Sequence, residues 1–240
     1  MLNGLDLFSG IGGITVALKE WVCPIAYVEI DPYCQGVLLS RGLTGDIPCA
    51  PIWDDIKTLD GKQFRETVDI IYGGFPCQGI SVAGLGQGLE DERSGLFFEI
   101  VRLCGEIEPR WVFLENVPAI VSRGGVEVGR CFAEMGYDCR WCVISAASIG
   151  APHKRQRWFL LSHPKSQGWE SRGNAIRKSE EQSEFAICNL ESHWWQKDEP
   201  ELAGMANGIP YRMDRIKSLG NAVVPQQAKK AFEILMGITK

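Results

Sequence analysis

Residues 2–13, Leu-Asn-Gly-Leu-Asp-Leu-Phe-Ser-Gly-Ile-Gly-Gly, constrain the fold more than any other stretch of the chain. A short strand-like run ends at Phe8, and three glycines follow at positions 10, 12 and 13. Ile14–Trp21 then takes up helical spacing. Strand, tight turn and helix in that order open a sheet with helices laid against it. The turn also gathers backbone N–H groups and a helix N-terminus where a ligand can meet them. It is not a full dinucleotide fingerprint, because Thr15 stands where G-x-G-x-x-G requires its third glycine.

The alternation of strands and helices continues down the chain, as in an α/β class. Ile25–Val28 reads as a second strand that ends in Glu29-Ile30-Asp31-Pro32. An acid at that strand end is where nucleotide-binding sheets hold a ribose diol, while Asp31 before Pro32 suits a helix cap. Tyr33–Arg41 is helical, and Ile52–Ile56 reads as a third short strand with a carboxylate at its tip. Val68–Tyr72 is a buried strand running into Gly73-Gly74-Phe75-Pro76-Cys77-Gln78-Gly79-Ile80-Ser81. A cysteine behind a proline, in a glycine-flanked turn at a strand end, is well placed to attack a substrate as its thiolate.

Ser81–Arg93 carries glycine at 84, 86 and 88 and is too polar for core, which suggests a lid or substrate-contacting loop. Ser94–Glu106 reads as a helix, and Trp111–Leu114 as a buried strand ending in Glu115-Asn116-Val117-Pro118. Glu115 should share a sheet edge with Cys77, since parallel sheets place their sites beyond the carboxyl ends of the strands. A helix at Val126–Met135, strands at Tyr137–Ser145 and Trp158–Leu161, and a last helix at Gln226–Met236 complete the pattern. Arg155 and Arg157, two apart at a strand's start, are expected on one face.

At 240 residues the chain can bury a full α/β core and one small second lobe. No apolar run reaches membrane-span length, and Met1-Leu2-Asn3-Gly4 leads directly into a strand. Neither signal peptide nor membrane helix is expected, and a cytoplasmic location is. Nine scattered cysteines fit a reducing compartment. Cys139 and Cys142 form a C-x-x-C on a strand, where that spacing sends them to opposite faces, so no metal site is expected. The formal net charge of −5 weighs against a nucleic-acid partner unless a basic face is set into the acidic body. From His163 to Glu199 the periodicity lapses and five basic side chains face seven acidic ones, as in a small insertion with little core of its own.

Taken in order and approximate spacing, Asp6–Gly13, Gly74–Gln78, Glu115–Val117, Arg155–Arg157 and Gly220–Val223 resemble the DNA (cytosine-5) methyltransferase family, above all its compact bacteriophage and prophage forms. The resemblance implies a Rossmann-like S-adenosylmethionine-dependent methyltransferase sheet with helices on both faces, plus a small target-recognition lobe. Residues 1–162 and 204–240 would form the catalytic domain, and 163–203 the recognition region. Double-stranded DNA is the implied partner, without metal or membrane, and a monomer is the simplest assembly.

By the same resemblance, Phe8, Gly10, Ile11 and Gly13 border the methionine end of the cofactor, and Glu29 takes the ribose hydroxyls. Ile30, Asp55 and Ile56 meet the adenine, while Pro76, Leu96, Asn221, Ala222 and Val223 complete the pocket. Cys77 adds to C6 of a cytosine swung out of the stack. Glu115 protonates N3, with its pKa raised by burial. Arg155 and Arg157 hold the base O2 or its phosphate and orient Glu115, and Gln78, Ser81 and Asn116 contact the substrate. His153 departs from the usual glutamine, Ala222 from a frequent serine, and the recognition region is short and net acidic. RNA (transfer-RNA) cytosine-5 methylation, a non-catalytic DNA- or cofactor-binding module, and a nicotinamide oxidoreductase are the competing readings. The missing third glycine counts against the last, and the intact Cys77, Glu115, Arg155 and Arg157 set against the second.

Overall fold

The computed structural model describes residues 1–76, 95–167, 214, 218–220 and 222–238. Cys77, Gln78, Ser81, Asn221, the expected loop at 81–93 and most of the stretch 163–203 lie outside the described residues. Among those described, seven strands form one sheet in the order β3-β2-β1-β4-β5-β7-β6. They are β1 (Leu2–Leu7), β2 (Val22–Val28), β3 (Ile52–Trp53), β4 (Ile70–Gly74), β5 (Trp111–Asn116), β6 (Tyr137–Ser145) and β7 (Gln156–Pro164). The helices are α1 (Gly13–Leu18), α2 (Pro32–Thr44), α3 (Gly95–Ile107), α4 (Ile120–Arg123), α5 (Gly125–Glu134) and α6 (Pro225–Met236). Strands β1 to β5 pair in parallel, whereas β7 runs antiparallel to both β5 and β6.

Side-chain alternation along the strands divides the core into two layers. Leu5, Leu7, Val28, Ile71 and Leu114 face a layer with Phe97 and Leu103 of α3 and Phe132 of α5. Ile70, Tyr72, Phe113 and Phe159 face the other, with Leu18 of α1 and Phe232 of α6. Phe113 stacks on Phe159 with centroids 5.8 Å apart and meets the edge of Phe232 at 5.3 Å. Full burial of a phenylalanine stabilises by roughly 1.5–3 kcal/mol, so Phe232 is a main tie between α6 and the sheet. Cys139 packs into the first layer and Cys142 into the second, which places the C-x-x-C pair on opposite faces.

Several boundaries differ from the sequence expectation for local reasons. Helix α1 stops at Leu18 because Trp21 N–H closes a turn on the Leu18 carbonyl, and Leu2 N–H takes the Trp21 carbonyl. β3 is cut to two residues because Asp55 caps a 3-10 turn at Ile56–Thr58, accepting from Lys57 N–H at 2.9 Å. β7 continues through Pro164, two residues past the expected edge of the catalytic domain. The glycine turn after β1 needs left-handed backbone at three places: Gly10 (φ 54°), Gly12 (φ 81°) and Phe8 (φ 53°). For Phe8 that conformation is strained, a cost that recurs where backbone is shaped around a ligand.

Among the described residues, no helix is long and apolar enough to cross a membrane. No group of three or more His, Cys, Asp and Glu side chains among them is placed to hold a metal ion.

Candidate active site

The parallel strands deliver their carboxyl ends to one edge of the sheet, where a cleft of about 750 Å³ opens. In strand order the chain doubles back between β1 and β4, and ligands of such sheets lie at that switch point. The turn after β1 contributes Phe8, Gly10, Ile11 and Gly13. The end of β2 gives Glu29 and Ile30, and the turn after β3 gives Asp55 and Ile56. Pro76 after β4, Leu96 of α3, and Ala222 and Val223 before α6 close the remaining sides. Gly13 is required here: a Cβ at that position would lie 2.9 Å from Val223 Cγ1.

Glu29 is buried at the end of β2 and braces the glycine turn. Its Oε2 accepts from Gly10 N–H at 2.7 Å and its Oε1 from Asp31 N–H at 2.8 Å. Each oxygen keeps a further lone pair for an outside donor. Asp31 caps α2, accepting from Tyr33 N–H, as its place before Pro32 suggests. Ile30 is 70% exposed and offers an uncovered apolar surface beside these acids.

At the β4–β5 end of the same cleft stands Glu115, buried near the end of β5. Arg157 Nε lies 2.6 Å from its Oε1. Burial pushes the Glu115 carboxyl up to about 7, against the opposing pull of Arg157 and then Arg155. Desolvation therefore wins over the ion pair, and near neutral pH the group is divided between its acid and carboxylate forms. Gly74 sits directly across the ladder from Glu115. A Cβ on Gly74 would fall 2.7 Å from Glu115 Oε2, so the carboxyl has its position only because that neighbour lacks a side chain.

Asn116 lines the cleft, yet it is buried and spends its amide on the main chain. Nδ2 donates to the Phe75 carbonyl at 3.0 Å, and Oδ1 accepts from Val117 N–H at 2.8 Å. It thus braces the exit of β4, immediately before Pro76 and Cys77. Arg155 departs from expectation. Its Nη2 donates to the carbonyls of Gly220 and Ala222 at 2.7 and 2.8 Å, so only Arg157 of the arginine pair reaches Glu115.

One cleft residue escaped sequence reasoning. Asp6 is buried within β1, where Thr15 Oγ1 donates to its Oδ2 at 2.6 Å and also meets Tyr72 Oη at 2.9 Å. This explains the threonine that breaks the dinucleotide fingerprint: it ties α1 to two strands through a buried polar chain. Burial pushes the Asp6 carboxyl up to about 8, opposed by the Thr15 hydrogen bond and reinforced by the charge of Glu29. The available signal was an acid in the middle of an apolar strand.

Raised carboxyls fix the sign of a stability trend. Between about pH 4 and 8 the folded chain binds a proton at Asp6 that the unfolded chain has released, so stability falls as pH rises. Glu115 acts in the same direction between its ordinary value of 4.5 and about 7. Denaturant unfolding from pH 5 to 8 should show stability declining, by up to about 1.4 kcal/mol per pH unit for each group. Asp6→Asn should remove one group's share of that slope; an unchanged slope would contradict the assignment.

Residues 2–207 match the model of the C-5 cytosine-specific DNA methylases. The type II methyltransferase M.CviJI of Paramecium bursaria Chlorella virus IL3A is 34% identical over 230 residues, which are 95% of this chain and 58% of the relative. The type II methyltransferase M.HhaI of Haemophilus parahaemolyticus is 34% identical over 165 residues, 67% of this chain and 48% of the relative. The crystal structure of the S. pombe Dnmt2 methyltransferase shares the fold, with a TM-score of 0.57 and 24% identity over 68% of this chain and 51% of that one. The chain spans about half the length of the relatives it matches.

Proposed function

Because the chain belongs to the C-5 cytosine-specific DNA methylase family, we propose that it transfers a methyl group from S-adenosylmethionine to C5 of a cytosine swung out of duplex DNA. The observation that carries this reading is the buried Glu115–Arg157 pair, set in the same cleft as the glycine turn and the Glu29 carboxylate.

The donor set of the cleft suits S-adenosylmethionine. Asp6 is a buried carboxyl acted on by another acid, a setting that an ammonium group relieves. Glu29 keeps lone pairs for two ribose hydroxyls, and Ile30 with Ile56 offers apolar surface to an adenine whose amino group Asp55 can accept from. Bound there, the cofactor supplies a methyl group activated on a sulfonium sulfur.

The rest falls to this chain's side chains. Cytosine C5 is a weak nucleophile until electrons are pushed into the ring. The Cys77 thiolate bonds to C6, and the electron pair of the C5–C6 double bond is released onto C5 and toward N3. Glu115 in its acid form gives its proton to N3, so no full negative charge accumulates on the ring. Arg157 holds the carboxyl and offers an N–H to O2. Once C5 carries the new methyl, a water takes the C5 proton, the double bond reforms, and Cys77 leaves as thiolate. The N3 proton returns to Glu115, and the enzyme is regenerated. Asn116 serves by holding the Phe75 carbonyl, and with it the approach of the chain to Cys77.

Target recognition we assign to the region 163–203, less the two residues that complete β7; Gln78 and Ser81 we assign to contacts with the extruded base. Labelled S-adenosylmethionine supplied with duplex DNA or with transfer RNA tests the substrate class, and bisulfite sequencing locates the product. Methyl incorporation into duplex DNA is expected. Incorporation into RNA alone would overturn the DNA reading, and none into either would leave a binding module.

Gly74→Ala gives a sharper structural test. The added methyl leaves the β4–β5 ladder intact but displaces Glu115 Oε2. Single-turnover methyl transfer should slow about 10²-fold, the scale of a misplaced catalytic group, with cofactor binding retained.

A further inference from the structure

We propose that Arg155 is a positioning residue for the cofactor side of the cleft, acting through the carbonyls of Gly220 and Ala222. The inference rests on the cofactor reading above and assigns Arg155 a different task from Arg157. The guanidinium reaches two carbonyls 65 and 67 residues away in sequence, at 2.7 and 2.8 Å. Among the described residues its buried Nε meets no acceptor, so backbone carbonyls and not a carboxylate hold this charge. Hydrogen bonds from a charged donor are stronger and more directional than neutral ones.

Its own backbone is anchored from a second direction. Gln227, fully buried on α6, donates through Nε2 to the carbonyls of both Arg155 and Ile144, each at 2.6 Å. Ala146 N–H adds a second bond to the Arg155 carbonyl at 2.9 Å. The arginine is therefore a strut with one end locked into the β6–β7 connection and the other against the segment before α6. That segment carries Ala222 and Val223, which line the cleft, and Val223 leaves Gly13 no room for even a methyl group. A small shift of Val223 would move directly into the glycine turn. Arg157, two residues farther along the chain and within β7, meets Glu115. One short stretch thus fixes the cofactor wall with its first arginine and the proton donor with its second.

The two arginines should consequently separate in titration and kinetics. Calorimetric titration with S-adenosylmethionine should show Arg155→Gln weakened at least about tenfold. Its KM for the cofactor should rise far more than its kcat falls. Arg155→Lys, with one ammonium able to reach a carbonyl, should recover part of the affinity, and it carries the test alone if the glutamine variant does not fold. Arg157→Lys should show the reverse: cofactor affinity kept and kcat reduced. Wild-type cofactor affinity in Arg155→Gln, or in Arg155→Lys should that variant stand alone, would overturn the proposal while leaving the methylation reading intact. Failure of the wild-type chain to bind S-adenosylmethionine would instead remove the reading on which it rests.

Discussion

Glu115→Gln is expected to reduce kcat by about 10²–10⁴-fold, the range that a positioned proton donor supplies, with cofactor affinity preserved. Glutamine fills the same space and can still hydrogen-bond, but it has no ionisable proton to give to N3. The pH dependence makes the prediction more specific. Burial raises the Glu115 carboxyl to about 7, so its acid form predominates below that value and is lost as pH rises through it. Methyl transfer by the wild type should therefore show a descending limb above about pH 7, up to tenfold per pH unit. The glutamine variant should lack that limb. Single-turnover rates measured from pH 5.5 to 8.5, values chosen to bracket about 7, check both points. A variant that keeps the limb would assign it to another group.

Much of this site was legible in the sequence because its parts are local. A carboxylate at a strand's end and a glycine turn into a helix are read from neighbouring residues, and parallel topology then carries them to one edge. Phe8, Gly10, Ile11, Gly13, Glu29, Asp55 and Glu115 all line one cleft for that reason. The predicted rise in the Glu115 pKa also holds, since a carboxyl closing a buried strand must be desolvated.

What was not legible depends on distant partners. Arg155 and Arg157 share a motif and a strand edge, and nothing in that spacing tells which of them turns to Glu115. The division is made by the carbonyls of Gly220 and Ala222, brought alongside only when α6 docks against the sheet. Asp6 reads as an oddity in an apolar strand until Thr15 and Tyr72 are seen beside it. Asn116 follows the expected proton donor Glu115, and its spacing does not show that its amide is tied to the backbone. In each case the missing information was a hydrogen-bond partner supplied by the fold.

The largest effect is expected at Cys77. Cys77→Ser should lower turnover by at least about 10⁴-fold, because a serine hydroxyl at neutral pH is a far weaker nucleophile than a thiolate. Cofactor affinity should be retained, since the cleft residues proposed to hold the cofactor are unchanged. A folded variant that binds cofactor and does not methylate would place the loss in bond formation. Comparable turnover by the serine variant would remove the thiolate from the mechanism.

Covalent capture tests the central step most directly. A duplex bearing 5-fluorocytosine at the target position can accept Cys77 at C6 and a methyl group at C5. It cannot then release fluorine as a cation, so the final elimination stalls. Incubated with S-adenosylmethionine, the wild-type chain should form an adduct that survives denaturation, and mass spectrometry should place the modified base on Cys77. The Cys77→Ser variant is not expected to form it. A wild-type enzyme that methylates ordinary duplex DNA yet yields no such adduct, or yields one at another cysteine, would contradict the account.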